Sequence, residues 1–302
     1  MTGVVEATPT RVVGNRVPDL APGEEPPLNE PPARSIGESL REVRTARDLL
    51  FQMVRRDLAT KHAGSVLGFF WSLLTPMLTV AVYATVFWIM GFTPTAGEFK
   101  DLPFALFFFG GLVVWNVMNA GLAGGTGSVV GQGFLVRKIY FPRELLPLAV
   151  VLSGVVTFLF EFAVLVVFQC ILGHYPHWTI VLAVPIIAIT ALLAFGASLF
   201  LSAMNVYFRD LQHFINVALQ LLFWAAPIIY DVSLIQQQHP GAVKLLRLNP
   251  LTGLLIGFRE AVLLGKVPGP WALLYALAWG VVLVLGGWWY FNRHERRMAE
   301  LV

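Results

Sequence analysis

The sequence predicts an all-α integral membrane protein, on three observations. Hydrophobic residues make up 57% of the 302-residue chain and charged residues only 13%, about half the roughly 25% charged content of a soluble domain. Six apolar runs each approach the ~20 residues that cross a bilayer core as helix. Ahead of them, a segment with helical spacing interleaves apolar residues with arginines.

Taken in order, residues 1–33 hold seven prolines and no sustained periodicity. That composition buries too little apolar surface to offset the entropy of ordering, so a disordered tail is expected. No apolar segment of signal-peptide type precedes residue 66, and the N-terminus is expected to be retained. Over residues 34–62, Ile36, Leu40, Val43, Leu50, Val54 and Leu58 recur at helical spacing, with Arg41, Arg44, Arg47, Arg55 and Arg56 among them. This is an amphipathic helix suited to the membrane surface, to a partner, or to packing on the protein's own body.

The six runs are Val66–Phe92, Pro103–Ala123, Pro147–Leu172, Thr179–Asn205, Asn216–Leu234 and Ala272–Phe291. An even number places both ends on one side. Residues 34–61 carry seven Lys or Arg against four Asp or Glu, and Arg293, Arg296 and Arg297 follow the last run. The positive-inside rule then makes both termini cytoplasmic, with a short tail at 296–302. The second connection, GFLVRKIYFPRELLPL (133–148), is cytoplasmic by the same rule. Its Pro142 can end a short helix, and Pro147 can begin the third span, since proline is tolerated in a first helical turn.

The last outer connection contains NPLTGLLIGFREAVLLG. Here Asn249 reads as N-cap, Pro250 as first helical residue and Gly265 as stop. Too short to cross, it is expected to form a re-entrant or interfacial gate helix that includes Phe258, Arg259 and Glu260.

Chemistry-bearing residues are few. No GxxxxGK[ST] occurs, so this chain is not expected to hydrolyse ATP. The glycine cluster GLAGGTGSVVGQG (121–133) reads as a flexible helix end leaving the membrane. His174 and His177 flank Pro176 without a nearby third ligand, and no metal is expected there. The single Cys170 allows no disulfide within one chain. Glu161 is the one carboxylate well inside a run. An ionisable residue there is a functional candidate: a helix contact, a group on a hydrated path, or a proton relay. Aromatics are dense, and most are expected to face lipid or form interfacial belts. Flat ring faces also stack on sugar rings, so a subset could serve a glycan path.

Three stretches, RRDLATKHAGSVLGFFWSLLTPML (55–78), SAMNVYFRDLQHFINVALQLLFWAAPIIY (202–230) and LNPLTGLLIGFREAVLLG (248–265), resemble in order and membrane placement the permease subunit of polysaccharide-exporting ABC transporters. This is the O-antigen, teichoic-acid and capsule exporter family, and the likeness covers about residues 35–295. It implies a homodimer of this chain in the cytoplasmic membrane with two copies of a separate cytoplasmic ATPase. That partner would bind ATP and Mg; no cofactor is implied in this chain, and no nucleic acid. The cargo implied is a polysaccharide on a polyprenyl diphosphate, and overall likeness points to a galactan or an O-antigen-like glycan.

The resemblance further implies that the 34–62 helix touches the ATPase along the membrane surface. Near 133–145 it implies a coupling helix with Arg137, Lys138, Tyr140, Phe141, Pro142, Arg143 and Glu144. Outer gate helices would span about 236–266. The first and fifth spans would line a channel, with Tyr83, Phe87, Trp88, Phe223 and Trp224 as glycan contacts. Arg41, Arg44, Arg55, Arg56 and Lys61 are candidates for holding the lipid diphosphate, since cations bind phosphate. Two other readings stay open: a proton-coupled secondary transporter using Glu161, and a membrane enzyme acting on a lipid-linked sugar.

Overall fold

In the computed structural model, the described residues are 36–61, 64–65, 67–92, 94–138 and 141–301. The Pro-rich tail, Tyr140 and the side chains of Arg296 and Arg297 lie outside the described residues. Among those described, every regular element is helical. The basic segment forms two helices, α1 (Ile36–Thr45) and α2 (Arg47–Thr60), parted by a turn at Ala46. Met53 is buried and Leu50 and Val54 are half-buried against the bundle, while Arg55 and Arg56 stay exposed.

The bundle consists of α3 (Trp71–Ile89), α4 (Phe104–Asn119), a π-helical turn at Ala120–Gly124 that runs on into α5 (Gly125–Gly127), α6 (Gly133–Lys138), α7 (Leu145–Ile171), α8 (Ala183–Tyr207), α9 (Leu211–Ala225), α10 (Val232–Gln238), α11 (Pro240–Leu248), α12 (Pro250–Leu263) and α13 (Pro270–Leu301). Five helical stretches are long and apolar enough to span: Trp71–Ile89, Phe104–Gly127, Leu145–Ile171, Trp178–Tyr207 and Pro270–Glu295. The expected run Asn216–Leu234 is not one helix. Its helical part is α9, 15 residues, which at 1.5 Å per residue reaches about 22 Å, short of a ~30 Å core. Ala226 turns extended ahead of Pro227, and a run of turns and bends over 226–230 carries the chain onward to α10.

Residues 296–301, beyond the apolar stretch that ends at Glu295, continue α13 as helix. One further expectation is corrected: the glycine cluster is no flexible end. A Cβ on Gly121 would lie 2.7 Å from the Ala194 Cβ, and one on Gly125 would lie 2.4 Å from the Ser198 Oγ. These glycines let α4 and α5 press onto α8, as small residues do where helices associate in lipid. The same device joins α8 to α13, where a Cβ on Gly287 would meet the Gly196 carbonyl oxygen at 2.4 Å.

The other short helices follow the sequence signals. Asn249 caps α12 by accepting from Leu251 N at 3.0 Å, with Pro250 next. Gly265 takes φ of 68°, a left-handed stop that favours glycine. Pro147 lies in the first turn of α7.

Candidate functional site

Two polar concavities lie against α4, and Asn119 lines both. The first, about 290 Å³, is walled by α3, α4 and α7 and reached by Lys61 at the end of α2. Glu161 of α7 is 3% exposed. Asn116 of α4 donates through Nδ2 to both of its carboxylate oxygens, 3.0 Å each. Thr75 and Thr79 from α3 and Thr157 from α7 complete the polar wall. At the α2 side, Lys61 Nζ donates to Ser153 Oγ at 3.0 Å and pairs with Asp57 at 3.5 Å, while Ser153 donates to Asp57. This triad pins α2 to α7.

The second concavity, about 340 Å³, is an aromatic groove between α3, α4 and α9. Tyr83, Trp115, Phe223 and Trp224 supply rings, and Asn216 and Gln220 supply amides. Trp115 and Phe223 meet edge to face at 5.5 Å. Flat apolar faces beside amide donors and acceptors suit a chain of sugar rings.

Of the aromatic residues singled out from sequence, Tyr83, Phe223 and Trp224 come together in this groove, and Phe87 and Trp88 do not. Phe87 packs on Phe104 at 5.0 Å, while Trp88 is 80% exposed on the far side of α3. The periodicity of the first span signalled apolar content but no facing, so ring positions one turn apart could not be separated. Trp115, Asn119, Asn216 and Gln220 were missed. The available signal was the pair Asn116 and Asn119, three residues apart and hence on one face of a helix in an apolar run.

The basic residues divide likewise. Arg41, Arg44, Arg55 and Arg56 lie on the exposed side of α1 and α2, with Arg56 donating to Gln132. Lys61 alone of the five lines a cavity.

In the second connection, Phe134, Arg137 and Lys138 of α6 are exposed, with the Lys138 ammonium 4.3 Å from the Phe134 ring centre. Phe141, Pro142, Arg143 and Glu144 are buried. Arg143 donates to the Glu295 carbonyl of α13. With the Asn292 amide oriented to satisfy both neighbours, its nitrogen donates to Glu144 Oε1 and its oxygen accepts from Trp288, each at 3.1 Å. The polar residues after Pro142 therefore face inward, locking this connection to α13, and among the described residues of 133–147 the exposed ones lie on α6.

At the opposite end Arg259 is 1% exposed. It donates from Nε to the Phe107 carbonyl at 2.9 Å, from Nη1 to Pro227 at 2.7 Å and from Nη2 to Ile228 at 2.6 Å. Its guanidinium carbon sits 3.7 Å from the Phe107 ring centre. Without a bound donor, carbonyls of a non-helical segment in an apolar setting cost several kcal/mol each; one arginine satisfies the Pro227 and Ile228 carbonyls at the break after α9. Gly111 makes room, since a Cβ there would lie 2.1 Å from Arg259 Nη2. Phe258 is buried beside it, edge to face with Phe158 and Phe162. Glu260, half-buried, has its pKa raised first by burial and then by Glu98, against the pull of Lys266. Lys266 bridges to Glu98 at 3.0 Å.

No group of three or more His, Cys, Asp or Glu among the described residues is placed to hold a metal ion.

Comparison with known proteins agrees with this architecture. Residues 48–263 match the family model described as ABC-2 type transporter. The chain is 30% identical over 264 residues to the O-antigen export system permease protein RfbA of Myxococcus xanthus, covering 87% of this chain and 98% of that one. It is 28% identical over 258 residues to the RfbA permease of Klebsiella pneumoniae, covering 84% and 95%.

Proposed function

Since this chain belongs to the ABC-2 type transporter family, we propose that it is the permease subunit of an ATP-driven exporter for a polyprenyl-diphosphate-linked polysaccharide, a galactan or an O-antigen-like glycan. The observation that carries this is the aromatic and amide groove of Tyr83, Trp115, Phe223, Trp224, Asn216 and Gln220 within a chain of that family. The groove takes most of its wall from α9 and only Tyr83 from α3, whose remaining surface is largely exposed. A second copy set against α3 and α9 would complete it as a conduit, and this supports a homodimer in the cytoplasmic membrane with both termini cytoplasmic.

Membership implies a separate ATPase partner. In this reading two ATPase copies, which bind ATP and Mg, push on α6 through Arg137 and Lys138 and bear on α1 and α2. Arg143 and Glu144 do not touch the partner; they pass the thrust to α13. The arginines of α1 and α2 hold the lipid diphosphate as it arrives, and α10–α12 form the gate at the far end.

The test is reconstitution with the partner ATPase and lipid-linked glycan in vesicles. Export requires ATP, and Arg137→Glu with Lys138→Glu yields a folded chain whose partner hydrolyses ATP without export. Export by the chain alone would overturn the reading. The proton-coupled alternative is disfavoured by one feature: among the described residues no histidine and no carboxylate besides Glu161 lines the cavity, whereas a relay needs a series of such groups.

A further inference from the structure

The cavity holding Glu161 lies apart from the coupling surface and shares Asn119 with the aromatic groove. We propose that it is a subsite for one pyranose unit of a neutral glycan, a proposal that rests on the glycan-export reading.

Its size and its donor and acceptor pattern carry the argument. At about 290 Å³ it displaces on the order of ten waters, each holding ~30 Å³, which is room for a sugar ring with a few waters. An ionised carboxylate offers about four acceptor positions, and Asn116 occupies two of Glu161's. Thr79 and Thr157 each spend their hydroxyl proton on a carbonyl of their own helix, Thr75 and Ser153, both at 2.9 Å. Those hydroxyls therefore present acceptor lone pairs to the cavity. The amide and ammonium donors facing it are Asn119 and Lys61, the latter with N–H capacity beyond its Ser153 bond and its Asp57 pair, and the Ser72 and Thr75 hydroxyls also line it.

A wall rich in acceptors with two separate donors matches a ligand whose groups both donate and accept. Hydroxyls do this. A phosphate brings its negative charge against the Glu161 carboxyl in a low-dielectric interior, and a bare metal ion leaves the Asn119 and Lys61 donors unmatched. Trp71 adds an apolar ring to the lining, its indole N–H held by Ser65 at 2.9 Å, and sugar C–H faces stack on such a ring. Through Asn119 the cavity adjoins the groove, so a sugar held here is one step from the proposed path.

The experiment titrates the full-length chain in lipid nanodiscs by ligand-observed NMR, with methyl gluco-, galacto- and mannopyranoside, inorganic phosphate and sodium chloride as separate probes. At least one pyranoside binds, and neither phosphate nor sodium displaces it. Glu161→Gln weakens binding about tenfold or more, as loss of charge-assisted hydrogen bonds does, and Thr79→Val, which keeps the volume, weakens it about threefold. Should Glu161→Gln fail to fold, Thr79→Val decides. Three results overturn the proposal: no pyranoside binds, only an ion binds, or Trp224→Ala removes binding that Glu161→Gln retains. Vesicle export separates this from the wider reading. Full export by Glu161→Gln and Thr79→Val sinks the subsite alone, whereas no ATP-dependent export by the unmodified chain with its ATPase sinks the exporter.

Discussion

The first two spans are almost equally apolar, with mean hydropathy 1.7 for Trp71–Ile89 and 1.6 for Phe104–Gly127 over their most apolar stretches, yet 11% of one stretch and 72% of the other is buried inside the chain. Hydropathy cannot decide between these fates, because lipid tails are as apolar as leucine and give helices no hydrophobic reason to associate. Small residues decide. Phe104–Gly127 contains six glycines and Trp71–Ile89 none, and the glycines of α4 and α5 let Arg259, Ala194, Val150 and Ser198 come close. The second span is thus a fixed wall, and the first is a panel hung on it. Both concavities lie between the two.

The contrast can be broken from the fixed side. Arg259→Leu should be the most damaging substitution, since the Phe107, Pro227 and Ile228 carbonyls lose their donor together, at ~1–3 kcal/mol each; thermal melting in detergent should show little or no folded protein. Gly111→Ala follows, driving a methyl into the Arg259 guanidinium, and should cost about 1–3 kcal/mol, read as a lower melting temperature. Arg143→Glu should destabilise by a similar margin, because it inverts a buried charge held at the Glu295 carbonyl. It should thereby differ from the folded but uncoupled Arg137→Glu. Smallest of all, Val82→Ala on the exposed side of α3 should move the melting temperature by the equivalent of ~0.5 kcal/mol or less. A large loss there would show that the first span is held by its neighbours as firmly as the second.

Much of this fold was legible in the chain. Apolar run lengths located the helices, and Asn249, Pro250 and Gly265 marked α12 because caps act locally. What the sequence hid was pairing across distance. Arg259 could be assigned to a gate, but only the fold brings it to three carbonyls from two other segments. Arg143 and Glu144 looked like a docking patch because charge in a connection usually meets water, and here α13 extends far enough to cover them. The break after α9 was concealed in a mostly apolar run, where Pro227 and Asp231, the N-cap of α10, were the warnings. Glu161 stood out as a lone carboxylate, while its partner Asn116 and the shared Asn119 passed as ordinary polar residues within a span.

One consequence follows from how α3 is fastened. Its ring contacts with α4, Tyr83 on Phe108 at 4.9 Å and Phe87 on Phe104 at 5.0 Å, lie toward its C-terminal half, whereas Trp71, Thr75 and Thr79 border open volume. The helix is therefore a lever with its fulcrum near Phe87. From there to Trp71 is about 24 Å of helix at 1.5 Å per residue, so a tilt of about 10° would swing the Trp71 end by about 4 Å and leave the ring contacts nearly where they are. Such a tilt would gape the Glu161 chamber like a clothes peg whose opposite jaw stays shut.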